Sequence, residues 1–446
     1  MTGTIFQIGR SGAAANRAAL DVVAQNIANV DNADYSRRTL SASELVGISA
    51  SGQSTLGGVR IGGIARFDSA VVQQQARSSA SELARADTEL SALRDTELAL
   101  EQSRLFEALV EFEAVLTELE GNPLEPALRI NTLETARQLA STFQFANSTL
   151  ATSRDQVQES AAIGLDEVNL QAAELARINQ SIVNSQEGTA GRAALLDARD
   201  AALRSLSEEV SVDATFDSRG VVSVRVTDAS GAPGPLLVNE FSSTSLASIS
   251  APDGTLSFSV DGTAVAPSSG ALAGYAAALE AQADYQVELD AIAADTIARS
   301  NAAQASGADA DGNPGQAFFT GTGAGDIELG LNNANQIATA PAGSSAGSTS
   351  TTNLSSLVAS LGADDGPSAR TDNLLLGLSS RIASQDVTRT GLAAIAESAE
   401  ATLLAETGVD LDTEAANLVR LQQAFEANSR VMQVATEIFD TILGLR

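Results

Sequence analysis

Several residue types on which protein chemistry often depends are absent from this sequence. None of its 446 residues is a cysteine or a histidine, which excludes disulfide bonds, thiol catalysis and zinc sites of the usual kind. Lysine is also absent, so all 26 basic residues are arginines, and Schiff-base chemistry is excluded. We therefore expect no catalytic residue, no metal site and no cofactor, and we do not expect an enzyme.

Long apolar segments and aromatic residues are scarce. No run of about 18 apolar residues occurs, so no part of the chain is expected to cross a membrane. The N-terminus has no basic stretch followed by an apolar core, and a cleaved secretory signal peptide is not expected. Aromatic residues make up only 4% of the chain while alanine is abundant, which favours long helices that pack at short distance.

Acidic residues dominate the charge. The chain carries 56 acidic against 26 basic residues, a net charge of −30 at pH 7. Because such a charge repels nucleic acid and anionic lipid, neither is expected as a partner. The length is sufficient for two or three domains with cores of their own.

The C-terminal stretch, residues 415–445, has the strongest pattern in the sequence. Large apolar residues recur there every seven positions, with a second row at the complementary offset, and no proline interrupts them. This a/d pattern is typical of a helix that packs against another helix. The two rows are Leu411, Leu418, Phe425, Met432 and Phe439, and Leu421, Ala435 and Ile442.

The N-terminus repeats the same period with smaller residues, which would let a second helix approach closely. A segment rich in asparagine and aspartate, from Asn26 to Asp34, ends this helix because such side chains bond to the local backbone. Each end therefore predicts a partner in the other end or in a neighbouring chain, and the alternative is that both stripes belong to an internal core. Asn26, Asn29 and Asn428 are polar positions at this seam, which either cap local backbone or fix the register of neighbouring helices. The N-terminal row is Ile5, Ile8, Gly12, Ala15, Ala19 and Val22.

Between the two ends, the apolar period changes from helical to strand-like and back. The valines from Val222 to Val226 alternate with polar residues, and Asp261-Gly262 is a hairpin turn signal. Residues 210–268 are therefore predicted to form a small β-rich insertion. Segments 31–66 and 307–366 are predicted to be irregular, with short strands. Helices are predicted in two pieces from 68 to 120, and from 125 to 186, from 192 to 209, from 271 to 305 and from 374 to 406.

The order of these elements predicts a mainly α protein. Because both ends are helical and the other segments lie between them, we expect an elongated hairpin. It would have N- and C-terminal coiled-coil helices, a long-helix bundle as the middle domain and a small β-rich insertion. The predicted domains are residues 1–66 with 405–446 (terminal coiled-coil assembly domain), 67–209 with 269–404 (helical middle domain) and 210–268 (insertion).

Both ends of the chain also resemble a known family. Asn26-Ile27-Ala28-Asn29 followed by Tyr35-Ser36-Arg37 is similar to the N-terminal motif of the flagellar axial proteins, and residues 417–431 are similar to their C-terminal motif. The Tyr35-Ser36-Arg37 triplet and two internal stretches favour the hook-associated protein 1 branch of that family. These stretches are Gly121-Asn122-Pro123 with the helix that follows, and 309–315 with Phe318-Phe319.

This resemblance implies a structural subunit of the bacterial flagellum that joins hook to filament, by helical-lattice assembly through its terminal helices. It implies a location outside the cell, reached through the flagellum's own type III export channel without a cleaved signal peptide. The implied partners are further copies of the chain, the hook protein, a second hook-associated protein, the filament cap and an export chaperone at the C-terminal helix. The expected assembly interface comprises Ile5, Ile8, Ala15, Val22, Asn26, Ile27, Asn29, Tyr35, Arg37, Leu418, Leu421, Phe425, Asn428, Met432, Ala435, Phe439 and Ile442.

Two alternative functions are open at this point. A flagellar hook or rod protein would carry the same terminal motifs, although Tyr35-Ser36-Arg37 and the long helical middle argue against it. The alternative from a different class is a cell-wall glycosidase associated with the axial structure. Its general acid would need burial to raise its pKa, and no sequence feature marks such a carboxylate.

One short segment resembles a calcium-binding loop. Asp309, Asp311 and Asn313 mimic its first ligand positions. The sixth position is Pro314 in place of glycine, and the twelfth is Thr320 in place of glutamate, so the turn geometry and the bidentate ligand are lost. A tight surface turn is therefore the predicted role.

Overall fold

The computed structural model describes residues 2–48, 54–229 and 233–444. Helices dominate this part of the chain, which confirms the prediction of a mainly α protein, and most of them begin and end within a few residues of the predicted bounds. They are α1 (Thr2–Ala28), α2 (Ala70–Ser103), α3 (Leu105–Gly121), α4 (Pro126–Asn184), α5 (Ala190–Glu209), α6 (Ala271–Ala305), α7 (Thr352–Leu361), α8 (Pro367–Thr407) and α9 (Leu411–Gly444).

Local sequence explains several of the helix ends. Pro126 and Pro367 open α4 and α8, at a position where the missing N–H has no intrahelical partner to lose. The side chain of Thr189 caps α5 by accepting a hydrogen bond from the N–H of Arg192. Arg104 separates α2 from α3 because its φ of 56° lies in the left-handed region.

The two terminal helices pack side by side and run antiparallel, which confirms that the ends of the chain meet. Two glycines of α1 allow the close approach. A Cβ atom on Gly9 would lie 3.0 Å from Cγ of Met432, and one on Gly12 would lie 2.8 Å from Oδ1 of Asn428. A larger residue at either position would therefore crowd the side chains of Met432 and Asn428 in the contact between the two helices.

The segment between α1 and α2 is more regular than predicted. Short strands in irregular chain were expected over 31–66, but β1 (Arg38–Ile48) and β2 (Ser54–Arg66) pair as one long antiparallel hairpin. The prediction was wrong because glycine and polar residues interrupt the alternation that marks a half-buried strand. The pairing also shifts register twice along its length, which blurs the pattern further.

The root of this hairpin lies against the turn between α4 and α5. Gly63 and Gly188 meet there backbone to backbone, with φ angles of 135° and 73°. A Cβ atom on Gly63 would lie 2.8 Å from Cα of Gly188, and the N–H of Ile64 donates to the carbonyl of Gly188 at 2.7 Å. Both the backbone angles and the lack of space require glycine at these two positions.

The predicted β-rich segment forms two small antiparallel sheets, one of four strands and one of three, in which neighbours along the chain pair with each other. Its valines Val222, Val224 and Val226 are buried against α4 and α5. Asp261 and Gly262 both have positive φ, as the predicted two-residue hairpin turn requires. The strands are β3 (Val212–Phe216), β4 (Val222–Thr227), β5 (Pro233–Asn239), β6 (Ser242–Ser243), β7 (Leu246–Ser250), β8 (Leu256–Val260) and β9 (Thr263–Val265).

The segment 307–366, predicted to be a long loop, contains α7 as well as short strands. A buried arginine organises the loop part, since Arg129 of α4 donates from Nη1 to the carbonyl of Ile337 at 3.0 Å and from Nη2 to Oγ1 of Thr339 at 3.2 Å. These contacts satisfy polar groups that would otherwise be buried without partners. The strands pair as β10 (Gly307–Ala308) with β13 (Ala340–Pro341), and β11 (Phe319–Thr320) with β12 (Glu328–Leu329).

The largest core lies between α3, α4, α6 and α7. Phe318 and Phe319, from the segment after α6, enter it and meet Phe112 of α3 edge-on, with ring centres 5.7 and 5.8 Å apart. Phe143 of α4 is fully buried in the same core. The aromatic residues of the chain are few, and four of its phenylalanines, Phe112, Phe143, Phe318 and Phe319, lie in this core.

Phe143 and Phe145 offer a matched test of this core. Phe143 is fully buried, whereas Phe145, two residues further along α4, is 49% exposed. We expect Phe143→Ala to lower the free energy of unfolding by about 3–5 kcal/mol, and Phe145→Ala by less than about 1 kcal/mol. Urea unfolding followed by circular dichroism measures both values. Equal losses in the two variants would contradict the burial of Phe143.

Candidate assembly site

The loop that joins α1 to the hairpin is held by a buried asparagine. Asn26 is 1% exposed. Its Oδ1 accepts hydrogen bonds from the hydroxyl of Tyr35 at 2.8 Å and from the N–H of Arg38 at 3.1 Å, and its Nδ2 donates to the carbonyl of Arg38 at 2.9 Å. Burial raises the pKa of Tyr35, so its hydroxyl stays a neutral donor. For Asn26, this geometry supports the capping alternative over a contact that sets register with a neighbour.

Two arginines at the root of the hairpin converge on two aspartates of α5. Nη2 of Arg38 lies 2.6 Å from Oδ2 of Asp197, and Nε of Arg66 lies 2.7 Å from Oδ1 of the same carboxylate. Arg66 also pairs with Asp200, which pairs with Arg199 at 2.7 Å. Burial alone would raise the pKa of Asp200, but Arg199 and Arg66 outweigh it and hold that pKa below its usual value. Loss of one partner would leave an uncompensated charge in a nearly dry site.

A further ion pair ties this loop to the start of α9. Nε of Arg37 lies 2.7 Å from Oε1 of Glu414, a residue that is 1% exposed. The N–H of Arg37 donates to the carbonyl of Thr407 at 2.8 Å. Its guanidinium lies 4.9 Å from the centre of the Phe67 ring, a cation–π contact. Arg37 thus joins the N-terminal loop, the end of the hairpin and both C-terminal helices.

These contacts form one continuous group, the root cluster, where α1, the hairpin, α5 and α9 meet. Its members are Asn26, Tyr35, Arg37, Arg38, Arg66, Asp197, Asp200 and Glu414. The first three were predicted from the sequence, but as contacts between copies of the chain. The others were missed, although Asp197 and Asp200 lie three apart, a spacing that places two carboxylates on one face of a helix.

Beyond the root cluster, α1 and α9 keep large apolar side chains exposed after they have packed against each other. Single exposed apolar residues are ordinary, but a large number of them on one helix pair favours a site of interaction. The set, called the apolar row below, comprises Ile5, Phe6 and Ile8 of α1 and Val419, Phe425, Val431, Val434, Ile438 and Phe439 of α9, each between 37% and 53% exposed. Its α9 members lie on more than one face of the helix.

The predicted interface residues fall into three groups in the structure. Those on the surface are Ile5, Ile8, Phe425 and Phe439. Those half-buried are Ile27, Asn29, Arg37, Leu418, Leu421, Asn428 and Met432. Those covered by the chain itself, and so not available to a neighbour in this conformation, are Ala15, Val22, Asn26, Tyr35 and Ala435. The side chain of Ile442 lies outside the described residues.

The segment that resembles a calcium loop forms a closed turn. Oδ1 of Asp309 accepts hydrogen bonds from the N–H groups of Asp311 and Asn313 at 2.9 and 2.8 Å. Oδ2 accepts one from the side-chain amide of Asn313 at 3.2 Å. The carboxylate therefore stabilises the turn itself, in line with the tight-turn prediction.

The two terminal helices of this chain match known flagellar proteins. A sequence model of the flagella basal body rod protein matches residues 6–34, which lie in α1 and the loop after it. A model of the flagellar basal body rod FlgEFG protein C-terminal region matches residues 402–445, which include α9. Matches at both ends are typical of a flagellar axial protein.

A third match covers the middle of the chain. The model of the flagellar hook-associated protein FlgK helical domain matches residues 90–319, more than half of the sequence. The chain belongs to the family of the flagellar hook-associated protein FlgK. This is a family of structural proteins and not of enzymes.

Individual relatives are distant and longer than this chain. Flagellar hook-associated protein 1 of Salmonella typhimurium is 28% identical over 229 residues, 49% of this chain and 40% of that protein. The protein of the same name from Escherichia coli K12 is 27% identical over 268 residues, 57% of this chain and 47% of that protein. The chain thus spans less than half the length of the curated relatives it matches.

A solved structure, that of the flagellar hook junction protein FlgK from Burkholderia pseudomallei, aligns with 55% of this chain and 46% of its own. The TM-score is 0.49 and the sequence identity is 23%. A likeness at this level carries no inference about function.

Asn26 and Asn29 belong to one motif but hold different parts of the structure. Asn29 follows the end of α1 and donates from Nδ2 to the carbonyl of Gln25, in the last turn of that helix, at 2.8 Å. We expect Asn26→Ala to cost about 2–4 kcal/mol of stability, because it leaves the Tyr35 hydroxyl and the Arg38 N–H buried without a partner. Asn29→Ala should cost less than about 1 kcal/mol.

Urea unfolding measures the cost of each asparagine substitution, and amide hydrogen exchange at Arg38 localises it. Protection of that amide should fall in the Asn26 variant and stay unchanged in the Asn29 variant. Similar losses in both variants would contradict the anchoring role of Asn26.

Proposed function

We propose that this chain is a structural subunit of the bacterial flagellum that joins the hook to the filament by helical-lattice assembly through its terminal helices. Membership of the FlgK family supports the role. The observation that carries it is the row of exposed apolar side chains on α1 and α9. These helices have packed against each other and the hairpin packs on α1, yet the side chains of the row stay exposed in the described part of the chain.

In this proposal, further copies of the chain bury the exposed apolar side chains of α1 and α9. When two identical subunits meet through different faces, each keeps one face free, so the contact propagates along a lattice and does not stop at a dimer. A net charge of −30 keeps free copies apart in solution. Assembly then depends on apolar contact, which is favoured where copies arrive at high local concentration.

A division of labour among the predicted domains is part of the proposal. Residues 1–66 with 405–446 act as the assembly domain, 67–209 with 269–404 as the helical middle domain, and 210–268 as a β-rich insertion. In support, α9 packs on α1, while the described core clusters are built from α2 to α8 and the strands between them.

The proposal extends to export and partners. The chain acts outside the cell, at the hook–filament junction, and leaves through the flagellum's own type III channel. Its partners are further copies, the hook protein, a second hook-associated protein, the filament cap and an export chaperone that covers the apolar row of α9 before assembly. Within the described residues, no helix combines the length and the apolar character needed to cross a membrane.

A flagellar hook or rod protein is the second candidate. The matches of rod-protein models to both ends of the chain favour it. The match of the FlgK helical domain over residues 90–319 favours the junction role instead, since it covers the part of the chain that the terminal motifs leave out.

Phe425→Asp tests the apolar row. Phe425 is 37% exposed and tolerates a charge in the free chain, but a charge buried between copies costs several kcal/mol. We expect the variant to keep its unfolding temperature and to fail to incorporate in a filament-formation assay. Leu170→Asp, at a 61% exposed position on α4, should incorporate normally. Normal incorporation of the Phe425 variant would refute the role of this row.

Truncation after Asp410 tests whether α9 serves the monomer or the assembly. The described core clusters contain no α9 residue, and what the root cluster loses in the truncation is the ion pair of Glu414 with Arg37, whose side chain is partly exposed. The truncated chain should therefore be a soluble monomer that does not assemble, with its main unfolding transition within about 5 °C of the full-length value. Calorimetry and sedimentation measure the two properties. A much larger fall in the transition temperature would mean that α9 belongs to the core of the monomer.

A further inference from the structure

A groove lies between α1, β1 and α9, on the root side of the tight contact at Gly9 and Gly12. Its volume is about 480 Å³. Small and apolar side chains line it, among them Ala15, Ala19 and Leu421. The two helices touch at the glycines and leave this space open beside the alanines.

The rim of the groove is basic, in contrast to the chain as a whole. Arg37, Arg38 and Arg420 line it against one carboxylate, that of Glu414. Arg37 and Arg38 are already paired with carboxylates of the chain, whereas Arg420 donates to an uncharged group, Oδ1 of Asn417, at 3.0 Å. In a chain with a net charge of −30, this rim suits an acidic segment.

The free end of α9 has the complementary properties. Ile438 and Phe439 are 42% and 53% exposed. Glu437 and Asp440 flank them in the sequence and are also exposed. This end of the helix, residues 434–441, is called the tip below. It presents bulky apolar side chains together with two negative charges.

The tip cannot enter the groove of its own chain. The helix α9 is unbroken from Leu411 to Gly444, and Phe439 lies about 27 Å beyond Leu421 along its axis, at roughly 1.5 Å per residue. We infer that the groove of one copy receives the tip of a second copy, with Phe439 beside Ala19 and the tip carboxylates near Arg420. This inference rests on the proposed function and specifies which surfaces of two copies meet.

The contact is head-to-tail, because the tip and the groove are different surfaces at opposite ends of one helix pair. The groove of each added copy covers the tip of the copy before it, and the added copy's own tip stays free. The contact can therefore repeat without closing into a dimer. Successive copies are displaced by roughly 27 Å along the α9 axis.

The absence of cysteine allows a crosslinking test without background. The Ala19→Cys variant and the Thr436→Cys variant are mixed under conditions in which the wild-type chain assembles. The mixture is then treated with a short bifunctional maleimide. Thr436 lies one turn from Phe439 on the same side of α9, so the apolar side chain that fills the groove is kept. We expect several-fold more covalent dimer in the mixture than in either variant alone. A chain with both substitutions should give a ladder of longer products.

Ala14→Cys is the matched control, since Ala14 is exposed on the same helix and does not line the groove. Mixed with Thr436→Cys, it should crosslink at background level. Equal crosslinking at Ala14 and Ala19 overturns the inference. So does the absence of Ala19 crosslinks in assemblies that form normally, or a doubly substituted chain that stops at dimers.

Charge reversal gives a second measurement. Arg420→Glu in the Ala19→Cys chain should lower the crosslink yield several-fold, and Glu437→Arg with Asp440→Arg in the Thr436→Cys chain should restore it. If Arg420→Glu lowers the crosslink yield and Glu437→Arg with Asp440→Arg does not restore it, the charge pairing between groove and tip is wrong.

The two proposals fail in different ways. If the wild-type chain does not assemble, the proposed function is wrong. If it assembles and Phe425→Asp blocks it while the crosslinks are absent, only the contact between tip and groove is wrong.

Discussion

Buried charge at one point fixes how the parts of this molecule are joined. In the root cluster, Arg38 and Arg66 meet Asp197 and Asp200 with little contact to water. Removing such groups from water costs several kcal/mol each, and moving one partner away would leave a buried charge uncompensated. Burial raises the pKa of Asp197 although Arg66 and Arg38 oppose the shift, so the ion pairs offset this cost only in part. They nevertheless fix the position of the hairpin on α5. Through Arg37 and Glu414 the start of α9 is held by the same arrangement, so both terminal helices leave the body in a set direction.

The contact between the terminal helices, unlike the root cluster, depends on small and apolar residues and not on buried charge. Their shared seam uses small residues and few specific polar contacts, and their outer side is apolar and exposed. Apolar contact is non-directional and scales with the area buried, so it can join copies without deciding their angle. The root cluster fixes the direction of the terminal helices, and the exposed apolar side chains of these helices supply the proposed contact between copies. A subunit that must meet several kinds of neighbour can use this separation, because a change in one surface leaves the other intact.

The sequence predicted the helices well because their apolar spacing is local information. The hairpin was missed since its glycines and polar residues hide the alternation, and α7 was missed because it lies in a stretch rich in serine, threonine and glycine. The root cluster could not be predicted, since Arg37 and Glu414 are 377 positions apart in the sequence and Arg38 and Asp197 are 159 apart. The motif around Tyr35 showed which side chains matter but not that their partners lie in the same chain.

The glycine contact at the root of the hairpin connects the hairpin to α4. Gly63 and Gly188 bring the backbone of the hairpin against the turn that follows this helix, with no space for a side chain between them. The helix is 59 residues long, about 89 Å at ~1.5 Å per residue, and its other end carries Arg129 and Phe143 in the largest core. It also packs against α2, α3, α5 and α6, so the seat of the hairpin and the largest core belong to one packed body, and the terminal helices are attached to that body through α4.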